Sequence, residues 1–86
     1  MLVHIPGPLL SYTNGQKSLD LSAKSLLELT QKLDEKFPGI KFRMIDEQDH
    51  IREHIKIFVD KEEVKTLETS LDATAVVHIT CSLSGG

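Results

Sequence analysis

Hydrophobic residues recur with a period of two near both ends of the chain, which predicts strands, and with a helical period between them. Residues 2–5 are of the type that favours a strand, which is interrupted at Pro6-Gly7-Pro8 because the two prolines lack a backbone N–H donor. Residues 9–12 are expected to resume the strand. Asn14-Gly15 signals a tight turn because both residues tolerate positive φ, and residues 19–21 alternate like a half-buried returning strand. The chain is therefore predicted to open with a β-hairpin.

A helix is predicted to begin at Ser25. The run Ser25-Leu26-Leu27-Glu28 fits a capping box, in which the serine hydroxyl accepts from the third helical amide and Glu28 reaches back to the N–H of the cap residue. Apolar residues then recur at steps of three and four, which places on one core-facing stripe Leu26, Leu29, Leu33 and Phe37. Pro38-Gly39 ends the helix, because the residue before proline is pushed out of the helical region and glycine permits the turn away.

The second half of the chain predicts three more strands. Residues 46–50 are polar and indicate a loop, and residues 55–59 then alternate, with Ile55, Ile57 and Val59 on one face. A charged turn without glycine, residues 60–63, leads to a short strand over residues 64–67. The last strand is predicted over residues 75–80, with Val77 and Ile79 sharing one face.

This element order predicts an α+β protein. One amphipathic helix has a single apolar stripe and must lay it across one face of a single sheet. A helix that connects two strands usually makes a right-handed crossover, so a mixed sheet of four to five strands is expected. That is the arrangement of the β-grasp, or ubiquitin-like, fold, here as a single domain over residues 1–86 with residues 81–86 as a flexible C-terminal tail.

Composition narrows the classes of function. Ten Lys and Arg residues against 13 Asp and Glu residues give a formal net charge of −3, which argues against a nucleic-acid binder that needs a basic face. The single cysteine excludes an internal disulfide and favours a reducing compartment. No apolar stretch approaches the ~18 residues of a membrane span, and no signal peptide is evident, so a cytoplasmic protein without membrane partners is expected.

Two histidines and a cysteine are the first candidates for chemistry. In a helix, His50 and His54 would share a face and could bind a metal. The pattern instead places His50 in a loop and His54 at the start of a strand, and it offers no third ligand. No metal site is therefore predicted. Cys81 as a nucleophile would need a base, and His78 lies three residues earlier. Positions three apart in a strand point to opposite faces, so Cys81 is expected to be a small residue at the strand end.

The carboxylates offer no better catalytic site. Those of the two polar loops are expected to be solvated, without the burial that acid–base catalysis needs: Asp46, Glu47, Asp49, Glu62 and Glu63. Gly7 and Gly39 are each flanked by proline and do not form a phosphate-binding loop. The chain is therefore not expected to be an enzyme.

The sequence ends in Gly85-Gly86, shortly after the predicted last strand. Glycine has no Cβ, so two in succession can thread a narrow slot in another protein, and the carbonyl of Gly86 is sterically open. A terminal carboxylate is ionised at neutral pH and is a poor electrophile, so it must be activated before it reacts. Joining it to AMP supplies a good leaving group for attack by sulfur or by an amine.

At this point the sequence resembles the MoaD/ThiS-like family, small sulfur carrier proteins related to the small subunit of molybdopterin synthase and the carrier of the thiamine pathway. The resemblance covers nearly the whole chain and rests on Phe37-Pro38-Gly39, residues 55–62, Leu71-Asp72 and residues 83–86. Residues 51–55 are most similar to the branch that includes the cysteine-synthesis carrier and the archaeal and bacterial ubiquitin-like modifiers. The family often has Asn-Gly where this chain has Asp60-Lys61.

The resemblance implies that an E1-like enzyme adenylates the carboxylate of Gly86, consuming ATP, and that the product becomes a thiocarboxylate, which donates sulfur to a synthase or other acceptor enzyme. Gly85 would give access to the reacting group, and the carrier itself would bind no cofactor. A second hypothesis is covalent modification through an isopeptide bond between Gly86 and a lysine. A third is a noncovalent interaction module whose tail is incidental.

An activating enzyme must also bind the folded domain of a carrier. If alternate strand residues face the helix, the others form an outer sheet face beside the tail, and an exposed Phe and Val there favour a docking surface. The expected partner-binding residues are Phe58, Val76, His78, Thr80, Leu83 and Ser84. A half-covered sheet face without a partner explains the same pattern.

Overall fold

Five strands form one mixed sheet in the computed structural model, which describes residues 1–82. The strands are β1 (Leu2–His4), β2 (Ser18–Asp20), β3 (Ile55–Val59), β4 (Glu62–Val64) and β5 (Val76–Cys81), in the spatial order β2-β1-β5-β3-β4. β1 and β5 run parallel, whereas the pairs β1–β2, β3–β5 and β3–β4 are antiparallel. The mixed sheet confirms the predicted α+β, β-grasp fold, with β5 at the centre.

The main helix, α1 (Leu26–Lys36), begins at the predicted cap. The Ser25 hydroxyl accepts the N–H of Glu28 at 3.2 Å. The Glu28 carboxylate accepts from the N–H of Lys24 at 2.7 Å, so the capping box closes one residue earlier than predicted. The apolar stripe is confirmed, because its members are all buried: Leu26, Leu29, Leu33 and Phe37.

The short strand predicted over residues 64–67 is instead β4, which ends at Val64. The carbonyl oxygens of Leu67 and Thr69 accept the N–H groups of Leu27 and Leu26 at 2.9 and 3.0 Å. The first amides of a helix have no partner within the helix, so this segment satisfies the start of α1 and is not available to the sheet. Leu67 is itself buried, which fixes the segment against the core.

The connection between β1 and β2 differs from the predicted hairpin. Asn14 and Gly15 adopt the expected positive φ values of 55° and 80°, but they belong to a long connection and do not join the two strands directly. Residues 9–12 do not resume the strand, because a 3-10 helix at Gly7–Leu9 and successive turns follow β1. Pro6 and Pro8 cannot donate to a strand ladder, and proline fits the first turn of a helix.

A second helix, α2 (Ile40–Met44), was not predicted. Gly39 turns the chain out of α1 with a φ of 97°, and the Asp34 carboxylate accepts from the N–H groups of Gly39 and Lys41 at 3.0 and 3.2 Å. Ile40 and Met44 are completely buried, so α2 closes one end of the core. Five residues are too few for a helical period to show in the sequence.

The turn between β3 and β4 uses a left-handed backbone at two residues that are not glycine. Asp60 and Lys61 have φ values of 49° and 75°, the region in which hairpins usually have Asn-Gly. The Asp60 carboxylate accepts the N–H of Val76 at 2.9 Å, and the N–H of Asp60 donates to the carbonyl of Val76, also at 2.9 Å. These two bonds tie the turn to the start of β5.

The core lies between α1 and one face of the sheet. Its most deeply buried side chains come from both helices and from the sheet: Val3, Leu29, Leu33, Ile40, Met44, Ile57 and Val77. Within residues 1–82, neither helix has the length and apolar character that crossing a membrane requires.

Candidate functional site

The outer face of the sheet collects the strand residues that point away from α1. On β3 and β5, Ile55, Ile57, Val77 and Ile79 are buried, whereas Phe58 and Val76 are half-buried and His78 and Thr80 are exposed. Since successive strand residues alternate between faces, Phe58, Val76, His78 and Thr80 share the face opposite the helix. The structure therefore brings together the four strand residues of the predicted partner-binding surface.

A row of side chains runs across the whole width of this face. In register, one residue from each strand contributes to the row: Ser18, His4, His78, Phe58 and Glu63. The rings of His4 and His78 stack, with centroids 4.3 Å apart and planes 12° apart. Aromatic rings therefore occupy three adjacent strands at the middle of the sheet.

Sequence reasoning missed the contribution of β1. Leu2 is in register with Val76, as His4 is with His78, so both extend the predicted surface by one strand. Leu2 is one of two large apolar residues that the described part of the chain leaves exposed. The alternation of Leu2 and His4 with buried Val3 does indicate which face they share. Their position beside β5 depends on a pairing between the two ends of the chain, which no local pattern reveals.

The outer face continues to the point where the tail leaves the sheet. β5 ends at Cys81, and the N–H of Ser82 donates to the carbonyl of His54 at 2.8 Å, so the chain stays attached to the sheet up to residue 82. Thr80 lies two residues before Ser82, and its hydroxyl donates a hydrogen bond to the carbonyl of Lys56 at 3.0 Å. Leu83, Ser84, Gly85 and Gly86, which were predicted to bind partners or to react, lie outside the described residues.

Cys81 lines a cavity of about 250 Å³ together with Arg43 and His54. The thiol is half-buried, and burial raises the pKa of Cys81 above its ordinary value. A raised pKa keeps the thiol protonated at neutral pH, which is unfavourable for a nucleophile. Cys81 and His78 lie on opposite faces of β5, as their spacing predicts.

His50 and His54 lie in the loop before β3. The Asp46 carboxylate accepts the backbone N–H groups of Gln48 and His50 at 2.8 and 2.9 Å. The hydrogen bond from His50 is the main cause of the lowered pKa of Asp46. These bonds organise the loop, and no group of three metal-ligating side chains occurs among residues 1–82.

Two solved structures are similar to the chain over its whole length. A chain of the Amycolatopsis orientalis BexX/CysO complex matches with 27% sequence identity and a TM-score of 0.90, covering 99% of this chain and 98% of that one. Mycobacterium tuberculosis CysO matches with 28% identity and a TM-score of 0.89, covering 95% of this chain and 98% of that one. In both cases, 27–28% of the residues are identical over almost the whole length of the chain.

A more distant likeness shows the fold alone. The small archaeal modifier protein 1 of Methanosarcina acetivorans has 22% identity and a TM-score of 0.78, covering 99% of this chain and 94% of that one. A scan against protein-family models found no match, and a sequence search of curated proteins found none either. The fold and the two full-length likenesses show that the chain is similar to ubiquitin-like sulfur carriers of the MoaD/ThiS-like kind, and the likeness to CysO reaches 28% sequence identity.

Proposed function

We propose that this protein is a sulfur carrier that acts through the carboxylate of Gly86. The observation that supports this most is the full-length likeness to a chain of the BexX/CysO complex and to CysO, at TM-scores of 0.90 and 0.89, in a sequence that ends in Gly85-Gly86. Partner enzymes recognise the folded part of the chain, which supplies no catalytic group of its own. Its partners are an E1-like activating enzyme and an enzyme that delivers or accepts the sulfur.

The chemistry proceeds in two steps on the activating enzyme. The carboxylate oxygen of Gly86 attacks the α-phosphorus of ATP, and pyrophosphate leaves, which gives an acyl adenylate. Hydrosulfide, or a sulfur donor equivalent to it, then attacks the carbonyl carbon, and AMP leaves with the C–O bond electrons. The product is a thiocarboxylate, and no cofactor held by the carrier takes part.

The outer face of the sheet is the proposed docking surface for the activating enzyme. Phe58, Val76, His78 and Thr80 supply its centre, and Leu83 and Ser84 are proposed to bind the same partner. A surface beside the root of the tail lets the enzyme hold the body and receive the tail in one encounter. Aromatic residues such as Phe58 carry much of the binding energy in interfaces of this kind.

Intact mass spectrometry tests the proposed chemistry. The full chain is incubated with its activating enzyme, ATP and sulfide, and we expect the mass to rise by the replacement of one oxygen by sulfur. A chain without Gly85 and Gly86 should not change, although its body folds in the same way. Pyrophosphate release without any oxygen-to-sulfur exchange would contradict the proposal. In that case, conjugates that survive a reducing agent would identify a protein modifier instead.

A further inference from the structure

A cavity beside the root of the tail carries a positive charge that no residue of the described chain neutralises. It has a volume of about 250 Å³, and its lining comes from the 3-10 helix, α2, the loop before β3 and the end of β5: Pro8, Leu9, Arg43, His54, Cys81 and Ser82. None of these residues is a carboxylate. Within residues 1–82, the Arg43 guanidinium forms no ion pair. The cavity can therefore accept an anion from another molecule.

The Arg43 guanidinium is held in position before any ligand binds. Its Nε–H donates to the hydroxyl of Tyr12 at 2.7 Å, and its Cζ lies 5.8 Å from the centre of the Tyr12 ring. The ring lies against Gly39, where a Cβ would come within 3.3 Å of it. Both Nη groups are without a hydrogen bond among residues 1–82. A fixed guanidinium with two free amino groups loses little side-chain entropy when it binds an oxyanion.

We propose that this cavity binds a carboxylate side chain of the activating enzyme, and that Arg43 pairs with it. The inference rests on the proposed function. The two Nη groups of an arginine can donate parallel hydrogen bonds to the two oxygens of one carboxylate. The phosphates of a nucleotide are bound by several cations or by the amides of a glycine-rich loop, and the lining of the cavity offers neither.

The position of the cavity favours the activating enzyme as the partner. Ser82 lines the cavity, and its N–H donates to the carbonyl of His54, so the cavity lies where the tail begins. Thr80 belongs to the outer face of β5, and Cys81 points to the opposite side. An enzyme that encloses the tail contacts both sides of β5 at this end. It therefore reaches the cavity and the outer face in the same complex.

The proposed contact is confined to one side of α2. Phe42, the residue before Arg43, lines a different cavity together with Asp46, Glu47 and Asp49. Carboxylates there repel an acidic partner, because like charges in contact are unfavourable. The acidic group of the enzyme is therefore expected at Arg43 and not over the exposed ring of Phe42.

Binding of the full chain to its activating enzyme, measured without ATP, tests the contact. Arg43→Gln is expected to weaken the complex about tenfold and to make its affinity less dependent on salt. Arg43→Lys should have an intermediate effect, because an ammonium keeps the charge but cannot form two parallel bonds. Arg52→Gln is the matched control, since Arg52 lies over the Phe42 ring and does not line the cavity. Equal affinities of the variants at Arg43 and Arg52 would overturn the proposal.

The kinetics of oxygen-to-sulfur exchange separate this contact from the proposed function. Arg43→Gln should raise the KM for the carrier about tenfold and leave kcat unchanged, because the contact contributes equally before and during the reaction. An unaltered chain that never exchanges oxygen for sulfur would refute the sulfur chemistry, while the binding measurement still tests Arg43. Exchange with the same KM for both chains would refute the role of Arg43 alone. A higher KM for ATP with unchanged affinity for the carrier would assign the cavity to a phosphate and contradict the proposal.

A carbodiimide crosslink identifies the carboxylate itself. In the Arg43→Lys variant, the carbodiimide converts an enzyme carboxylate to an O-acylisourea, the amine at position 43 attacks its carbonyl carbon, and a urea leaves. Mass spectrometry of the digested complex should show an amide between position 43 and an aspartate or glutamate of the enzyme. The Arg52→Lys variant should show none at position 52. A complex crosslinked through other lysines but not through position 43 would contradict the proposed contact.

Discussion

Lys61 is the residue whose backbone the fold strains most clearly. Its φ of 75° lies in the left-handed region, where a residue with a Cβ is less stable by about 1–2 kcal/mol. Lys61→Gly removes this cost but gives the unfolded chain extra freedom, which is unfavourable by about 0.4–1 kcal/mol. We expect a net gain of about 0.5–1 kcal/mol in the free energy of unfolding, measured as a higher urea midpoint with an unchanged slope.

Lys65→Gly is the matched control for this prediction. Lys65 is also exposed, and it is not among the residues of positive φ. Glycine there adds freedom to the unfolded chain without relieving strain, so the urea midpoint should fall. If both variants lowered the midpoint equally, strain at Lys61 would not be the explanation.

Cys81 is expected to react slowly with alkylating agents because its thiol is partly buried. Burial of its thiol raises the pKa, and only the thiolate attacks an alkylating agent. At neutral pH, iodoacetamide should therefore modify Cys81 more slowly in the folded chain than in urea, and the rate should keep rising at pH values where the unfolded thiol has levelled off. Mass spectrometry of quenched samples across alkaline pH measures both rates.

The raised pKa of Cys81 also determines how the contribution of this residue to stability changes with pH. Because the folded pKa of Cys81 lies above the unfolded one, burial of the neutral thiol contributes stability below the unfolded pKa. That contribution is lost as the pH rises through the folded pKa. Alkylation that is faster in the folded chain than in urea would show that the thiol is activated, and would revive Cys81 as a nucleophile.

At the scale of elements, α1 depends on its N-cap. Ser25→Ala removes the acceptor for the N–H of Glu28, and loss of such a cap lowers stability by about 1 kcal/mol. Ser25→Asp should retain most of the stability, since an aspartate accepts the same bond. Thermal unfolding measures the difference, with Ser11→Ala in an exposed turn as the control. Equal effects of the alanine variants at Ser25 and Ser11 would contradict a capping role.

The elements that the sequence predicts well are those with a strong local signal. The cap at Ser25, the stripe of α1 and the alternation of β3 each follow from residues close together in the chain. The segment at residues 64–67 was assigned wrongly because the carbonyl group of Leu67 accepts from Leu27 at the start of α1, which is 40 residues earlier in the chain. The helix α2 was missed because Asp34, on another element, holds its first turn.

The same distinction applies to the candidate site. The outward-facing residues of β3 and β5 follow from a period of two, so Phe58 and His78 could be assigned to one face without a structure. Leu2 and His4 could not be assigned, because the parallel pairing of β1 with β5 joins the two ends of the chain. Long-range pairings of this kind are set by the packing of the whole sheet and leave no local pattern.

At the scale of the whole molecule, the proposed function uses the sheet for recognition and Gly86 for reaction. β5 is the central strand, held by neighbours on both sides, and it is also the strand from which the tail leaves. Side chains on its outer face therefore have fixed positions relative to the root of the tail. In the proposed function, a partner that docks on this face receives the tail at a defined place, and the carrier supplies no catalytic group.

The two accessible phenylalanines lie on different elements, so they distinguish docking on the outer face from docking on α2. Phe58 lies on the outer face, and Phe42 lies on α2 with 57% of its surface exposed. In binding to the activating enzyme, Phe58→Ser should weaken the complex by about 1–2 kcal/mol, or roughly 5- to 30-fold, as loss of an interface anchor does. Phe42→Ser should have little effect.

Thr80→Arg provides a test that does not depend on truncating a partly buried side chain. Thr80 is exposed, so a longer side chain there obstructs the outer face without disturbing the core. We expect weaker binding and slower thiocarboxylate formation, with only a small fall in the unfolding temperature from loss of the exposed hydrogen bond between Thr80 and Lys56. Binding is best measured on chains that lack Gly85 and Gly86, because contacts of the body are then separated from those of the tail. If Phe42→Ser weakened the complex while Phe58→Ser and Thr80→Arg did not, the enzyme would dock on α2, and the outer face would be free for another partner.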